Sequence, residues 1–159
     1  MDSGISDPQL DSLSRCFQQF AVECRHHASP LYERLAVSVG SDPEMLALAA
    51  RARSGPVPNL FFAAAHFLLL KGTEHPVSRF YPSLFEQPDP VEGAYPAFRS
   101  FCLEHRGGIL KLISERRVQT NEVRRCACLL PAFGLASSQA RGRPLALVEV
   151  GASAGLNLL

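Results

Sequence analysis

Hydrophobic positions in the first part of the chain recur with the spacing of α-helices. One apolar stripe runs from Leu10 to Cys24, and a second begins at Leu31 and ends before Gly40. Residues on one face of a helix follow each other at intervals of three or four. The sequence therefore predicts two helices here, with Gly40 at the end of the second.

Two further helices are indicated by start signals and by composition. Ser41 is placed to act as an N-cap and Pro43 falls in a first turn, which predicts a helix from Pro43 to about Arg53. After a linker rich in glycine and proline, Asn59 can cap a helix that is apolar on nearly every side through Leu70. Such a helix belongs in the middle of a bundle.

The helical spacing resumes in the second half of the chain. A long pattern runs from Phe98 to Ile113, and Gly107-Gly108 within it predicts a kink or a break. A last helix is expected to start near Thr120 or Asn121, and Pro131 should kink it or end it.

The period of the pattern changes after Pro144. Leu145 to Val150 is a short apolar run that is typical of a buried β-strand. The predicted fold class is mainly α, a helical bundle of about six helices followed by the first β-strand and glycine loop of a Rossmann-like domain. We expect a helical domain over residues 1–140 and the beginning of a truncated Rossmann-like domain over residues 141–159.

Composition and charge narrow the class of protein. Hydrophobic residues make up 47% of the 159 residues, charged residues make up 19%, and the formal net charge is +1. This is the composition of a globular protein, and no overall charge draws it to nucleic acid or to a membrane surface. We expect a cytoplasmic protein, because the opening residues lack a secretory signal and the apolar run of residues 60–70 is too short to span a bilayer.

The cysteines do not form a metal-binding pattern. There are 5 of them, and Cys126 and Cys128 would point in different directions on a helix. Cys24 lies close to His26 and His27, but no second ligand pair follows at the spacing of a zinc site. We expect no metal, and we expect His66, which lies in an apolar helix, to be a buried histidine with a hydrogen-bond partner.

The stretch Gly151-Ala-Ser-Ala-Gly155 permits three interpretations. As G-x-S-x-G after a strand, it has the form of the nucleophile elbow of a serine hydrolase. That fold places the histidine and the acid after the serine, and few residues follow Ser153. Glycine and serine also suit an ordinary turn between a strand and a helix, without chemistry.

The third interpretation is a cofactor loop. Glycines at the carboxyl end of a strand let the backbone approach a ligand closely, and the following helix offers free N–H groups. The spelling Glu149-Val-Gly151-Ala-Ser153-Ala-Gly155 resembles the acidic, glycine-rich motif of S-adenosylmethionine-dependent methyltransferases, with Ser153 in place of the middle glycine. In this interpretation Glu149, Gly151, Ser153 and Gly155 bind the cofactor.

Six blocks of the chain resemble an uncharacterised bacterial family, one of the domain-of-unknown-function families. They are SPLYERLA, PNLFFAAAHFLLLKG, HPVSRFYPSL, FCLEHR, RRVQTNEVRRCACLLP and LVEVGASAGLNLL. The resemblance implies that this chain corresponds to the helical N-terminal half and that a methyltransferase-like, Rossmann C-terminal half follows. It therefore implies S-adenosylmethionine as the cofactor of the full-length protein, and a 159-residue piece that is inactive by itself.

Polar residues precede the last helix and could belong to the same site. Gln119, Thr120, Asn121 and Glu122 form a turn whose side chains both donate and accept hydrogen bonds, so they are a possible pocket. The alternative function is a helical interaction or regulatory module beside a degenerate Rossmann part. In either case the unpaired strand 145–150 is expected to fray or to pair with another chain.

Overall fold

The computed structural model describes residues 7–118, 125–140, 142–146 and 148. These residues form seven α-helices and two short 3-10 helices, at Pro76–Phe80 and Val91–Gly93. The α-helices, in chain order, are α1 Asp7–His26, α2 Pro30–Val39, α3 Pro43–Ala49, α4 Val57–Leu70, α5 Ala94–Glu104, α6 Arg106–Glu115 and α7 Arg125–Gln139. The chain divides into two compact units after Val118.

The first unit is a helical bundle with one core. Phe17 of α1 meets Phe62 of α4 edge to face, with ring centroids 5.7 Å apart, and Phe98 of α5 packs on Phe62 at 5.6 Å. All three rings are buried. Aromatic rings in this arrangement bury large apolar surfaces and add a favourable contact between their edges and faces. The prediction that α4 lies in the middle of the bundle is confirmed, since it packs against α1, α3 and α6.

Helix α3 begins at Pro43 as predicted, but it ends at Ala49, before the predicted Arg53, and its N-cap is a different residue. Asp42, and not Ser41, is the N-cap, because its carboxylate accepts hydrogen bonds from the backbone N–H groups of Glu44 and Met45. The Ser41 hydroxyl instead donates back to the carbonyl of Val37. A carboxylate near the positive end of the helix dipole is the better cap of the two.

The predicted start of α4 is corrected as well. The helix begins at Val57, directly after Pro56, so Asn59 lies inside its first turn and is not the cap. Proline fixes its own backbone angle and has no N–H to satisfy, which suits it to a helix start.

The break predicted at Gly107-Gly108 occurs earlier, at His105. This residue has φ −105° and ψ 23°, and it separates α5 from α6. The break follows from packing, because α5 lies against α2 whereas α6 lies against α4. Gly108 lets α6 lie close to α4, because a Cβ built at this position would come within 3.3 Å of Leu68 on α4.

The second unit contains α7 and a short stretch beyond it. Pro131 does not end this helix, which continues to Gln139. No strand occurs among the described residues, and Leu145, Ala146 and Val148 have no regular secondary structure. The other residues of the predicted strand, and the predicted helix start at Thr120 or Asn121, lie outside the described residues.

None of the helices within the described ranges is long and apolar enough to cross a membrane.

Candidate functional site

The residues predicted to form a site lie outside the part of the chain that the structure describes. This applies to the cofactor-binding residues Glu149, Gly151, Ser153 and Gly155 and equally to the possible pocket of Gln119, Thr120, Asn121 and Glu122. Their roles stay predictions. The candidate site that the structure does describe lies in the first unit.

This site is centred on His66, in the third turn of α4. Its Nδ1 lies 3.1 Å from the hydroxyl of Tyr32 on α2, and its Nε2 lies 2.7 Å from the hydroxyl of Ser83. The neighbours of His66 on α4 hold it in place, because Ala65 and Leu69 are buried in the core. The prediction that His66 has a hydrogen-bond partner is confirmed, although the side chain is half-buried and not buried.

A closed loop brings Ser83 to His66. The guanidinium of Arg79 donates two hydrogen bonds to the carboxylate of Asp89, at 2.9 and 3.2 Å, and the backbone N–H of Asp89 donates to the carbonyl of Arg79. Within the loop, the ring of Tyr81 lies against His66 with centroids 4.7 Å apart. A bidentate ion pair and a backbone bond at the same two residues fix the loop more firmly than a single contact would.

Burial sets the protonation states at the site. It lowers the pKa of His66 and raises the pKa of Tyr32 to about 12, the nearby Cys24 contributing to the second shift. At neutral pH the imidazole is therefore uncharged and the phenol keeps its proton. A neutral imidazole donates through one nitrogen and accepts through the other, so either the Tyr32 hydroxyl or the Ser83 hydroxyl donates to it.

The cluster borders two cavities. The larger has a volume of about 320 Å³ and is lined mainly by apolar groups, among them Leu31, Phe80, Pro82 and Val91. The second, of about 300 Å³, is an open groove that shares Tyr32 and His66 with the first and is also lined by Phe20, Phe62 and Val118. His66 thus holds the hydroxyls of Tyr32 and Ser83 at a partly open, mainly apolar cavity.

A second polar cluster joins α3 to α5. The Asp42 carboxylate accepts from the Tyr95 hydroxyl at 2.6 Å and from Arg99 Nε at 2.8 Å, and Arg99 also pairs with Glu44. Burial alone would raise the pKa of Asp42, but the hydrogen bonds from Tyr95, Arg99 and the helix backbone outweigh it and lower the pKa. Every charged group here has a partner, so the cluster stabilises the fold.

A third cluster is also paired internally. His75 Nδ1 accepts from the backbone N–H of Val77, and His75 Nε2 lies 3.5 Å from the carboxylate of Glu104. The Ser100 hydroxyl, 2.6 Å from that carboxylate, is the main reason that the pKa of Glu104 is lowered. These bonds hold the first 3-10 helix on α5.

In the ranges that the structure describes, no group of three or more histidine, cysteine, aspartate or glutamate side chains is arranged to hold a metal ion. Cys126 and Cys128 have backbone positions in α7, and their side chains lie outside the description.

Sequence reasoning considered His66 and missed its partners. Tyr32 and Ser83 lie far from His66 along the chain, so no local pattern connects them. One signal was available: Tyr32, His66 and Ser83 lie in three of the blocks that resemble the bacterial family, namely SPLYERLA, PNLFFAAAHFLLLKG and HPVSRFYPSL. The same blocks contain many other polar residues, so this signal alone does not single out Tyr32 and Ser83.

Comparison with protein families gives one match. Residues 14–159 match the family described as "Uncharacterized protein conserved in bacteria (DUF2332)". Neither the curated proteins nor the solved structures yield a match to this chain. The family match extends over most of the chain and includes both the helices and the glycine-containing end, so the chain belongs to this uncharacterised bacterial family.

Proposed function

We propose that this chain is the N-terminal helical part of an S-adenosylmethionine-dependent methyltransferase-like protein. In this proposal Glu149, Gly151, Ser153 and Gly155 form the first part of the cofactor site.

The observation that carries the proposal is the sequence motif Glu149-x-Gly151-x-Ser153-x-Gly155, which directly follows an apolar run. In Rossmann-like folds the ligand lies at the carboxyl ends of the strands, where glycine allows the backbone to approach it. An acidic residue at the end of such a strand can accept hydrogen bonds from the cofactor. Ser153 is the one departure from the three-glycine pattern, and its side chain is small.

The polar residues that precede α7 in the sequence belong to the same proposal. Gln119, Thr120, Asn121 and Glu122 offer both donors and acceptors, which are the groups that recognise a polar substrate.

Calorimetric titration of S-adenosylmethionine into the complete polypeptide tests the proposal. Gly151→Val puts a branched side chain where the backbone must approach the cofactor, so we expect affinity to fall by about 10-fold or more. Gly107→Ala is the matched control, because nothing lies within 4 Å of a Cβ at that exposed position of α6. It should bind as the wild type does, and circular dichroism checks that both variants fold.

The alternatives predict different results. A helical interaction module with a degenerate Rossmann part binds no S-adenosylmethionine, in the wild type or in either variant. A serine hydrolase cleaves an activated ester such as p-nitrophenyl acetate and loses that activity in Ser153→Ala. Equal binding by the wild type and Gly151→Val would also remove the basis of the proposal.

A further inference from the structure

We propose that the cavity beside His66 binds an uncharged, mainly apolar small molecule that carries a hydroxyl group, such as a phenol. The cavity is the one of about 320 Å³ in the first unit. This inference goes beyond the proposed cofactor site and is independent of it, because every residue involved lies between Ala28 and Val91.

The size and lining of the cavity define the apolar part of the ligand. Small-molecule sites begin at roughly 300 Å³ and are mostly apolar with a few placed polar groups. Leu31, Phe80, Pro82 and Val91 provide such a lining, and Tyr81 adds a flat aromatic surface beside His66. A single aromatic ring with a short substituent fits a space of this volume.

The polar groups define the rest of the ligand. His66, Tyr32 and Ser83 present one imidazole and two hydroxyl groups at the same part of the lining. Between them these groups can both donate to and accept from a ligand hydroxyl. Both nitrogens of His66 are used by Tyr32 and Ser83, so His66 positions the two hydroxyls that a ligand would contact.

The described lining of the cavity offers no unpaired charge to an ionised ligand. Asp89 is the one carboxylate among the described residues that line the cavity, and Arg79 pairs with it through two hydrogen bonds. No basic side chain lines the cavity within the described residues, and burial keeps His66 uncharged at neutral pH. An anion placed here would lose its hydration and gain no opposite charge in return.

The site is already formed without a ligand. The Arg79–Asp89 pair closes the loop that carries Tyr81 and Ser83, and Pro82 and Pro88 restrict the backbone within it. A binding site that does not have to be ordered by its ligand spends less of the interaction energy on conformational entropy.

Ligand-observed NMR with three probes tests the assignment. The three probes share one aromatic ring. Phenol adds a hydroxyl group, benzene adds no polar group, and benzoate adds a negative charge. We expect the wild type to bind phenol with a Kd of about 1 mM or tighter. Benzene should bind about fivefold more weakly, in line with one net hydrogen bond, and benzoate should not bind.

Two variants test whether the probes bind in this cavity. His66→Phe keeps a ring of similar size and removes the two nitrogens that hold the Tyr32 and Ser83 hydroxyls in place, so the preference for phenol over benzene should disappear. Ser29→Leu fills the cavity from the start of α2, where the serine side chain makes no capping hydrogen bond, and should abolish binding of phenol and benzene alike. Gly107→Ala on the exposed surface of α6 should bind all probes as the wild type does.

The assignment is overturned if benzoate binds as well as phenol, or if Ser29→Leu leaves phenol binding unchanged. It is also overturned if His66→Phe folds and keeps the wild-type preference for phenol. Should His66→Phe fail to fold, Ser29→Leu together with the comparison of the three probes on the wild type decides the matter. Loss of S-adenosylmethionine binding has no bearing on these results.

Discussion

The imidazole of His66 couples folding to pH. Burial lowers its pKa in the folded protein, whereas a histidine in an unfolded chain titrates near roughly 6.5. Between these two values the unfolded chain binds a proton that the folded protein does not. The contribution of His66 to stability is therefore present above about pH 6.5 and is lost as the pH falls toward the pKa of the folded state.

Urea denaturation between about pH 5 and 7.5 measures this dependence. His66→Gln keeps a polar side chain but does not titrate. As the pH is lowered over this range, the free energy of unfolding of this variant should therefore fall less steeply than that of the wild type. Equal slopes for the wild type and His66→Gln would show that His66 titrates alike in the folded and unfolded states.

Asp42 combines a helix cap with a tertiary contact. Asp42→Ala removes the acceptor for Glu44 and Met45 N–H and the acceptor for the Tyr95 hydroxyl. The lost cap and the lost hydrogen bond should together reduce the free energy of unfolding by about 2 kcal/mol. Asp42→Asn is the matched control, because its amide oxygen still caps α3, and it should lose less.

The Asp42 carboxylate also makes stability depend on pH. Its pKa is lowered by hydrogen bonds, whereas the pKa of His66 is lowered by burial. The pKa of Asp42 is lowered in the folded protein, so its contribution is present above the pKa of an unfolded aspartate, about 3.9, and is lost as the pH falls through the folded value. Denaturation of the wild type and Asp42→Asn at low pH should therefore converge. Curves that stay equally far apart from neutral pH to about pH 2 would contradict this assignment.

At the scale of the elements, one glycine sets the distance between α1 and α2. The Ser14 hydroxyl donates to the carbonyl of Gly40 at 2.5 Å, and a Cβ on Gly40 would lie 3.3 Å from the Cβ of Phe17. Gly40→Ala should therefore destabilise the fold by about 1–2 kcal/mol through crowding at this contact. The measurement is chemical denaturation.

Gly107 provides the opposite case for comparison. It lies inside α6 with open space around its Cβ position, so Gly107→Ala should leave stability unchanged or raise it by up to about 1 kcal/mol. If Gly40→Ala stabilised the protein as much as Gly107→Ala does, helix propensity and not the α1–α2 contact would determine the effect at both positions.

Helices α1 to α4 could be predicted because their signals are local. The apolar stripe of α1, Pro43 at the start of α3 and the apolar length of α4 are each visible in a short window of sequence. The break at His105 could not be placed in this way, because it depends on α5 and α6 packing against different helices. Pro131 was expected to kink or end α7; it does not end the helix, because leucine and alanine on both sides favour continued helix.

At the scale of the whole molecule, the candidate sites differ in how they can be found. The proposed cofactor-binding residues, Glu149 to Gly155, are contiguous in the chain, so their pattern is visible in the sequence alone. The His66 site assembles residues from α2, α4 and a loop, so it emerges only when the helices pack. Sequence reasoning named its histidine and could not supply Tyr32 and Ser83, which tertiary contacts bring within reach.

We propose that S-adenosylmethionine binds at the residues from Glu149 to Gly155. A ¹⁵N–¹H correlation spectrum of the complete labelled polypeptide, recorded during titration with S-adenosylmethionine, tests it at the level of single residues. We predict saturable shifts of the backbone amides from Glu149 to Gly155, and much smaller changes at those amides in Gly151→Val. The proposal is contradicted if the spectrum is unchanged at saturating cofactor. It is also contradicted if other amide signals shift while those of Glu149 to Gly155 do not.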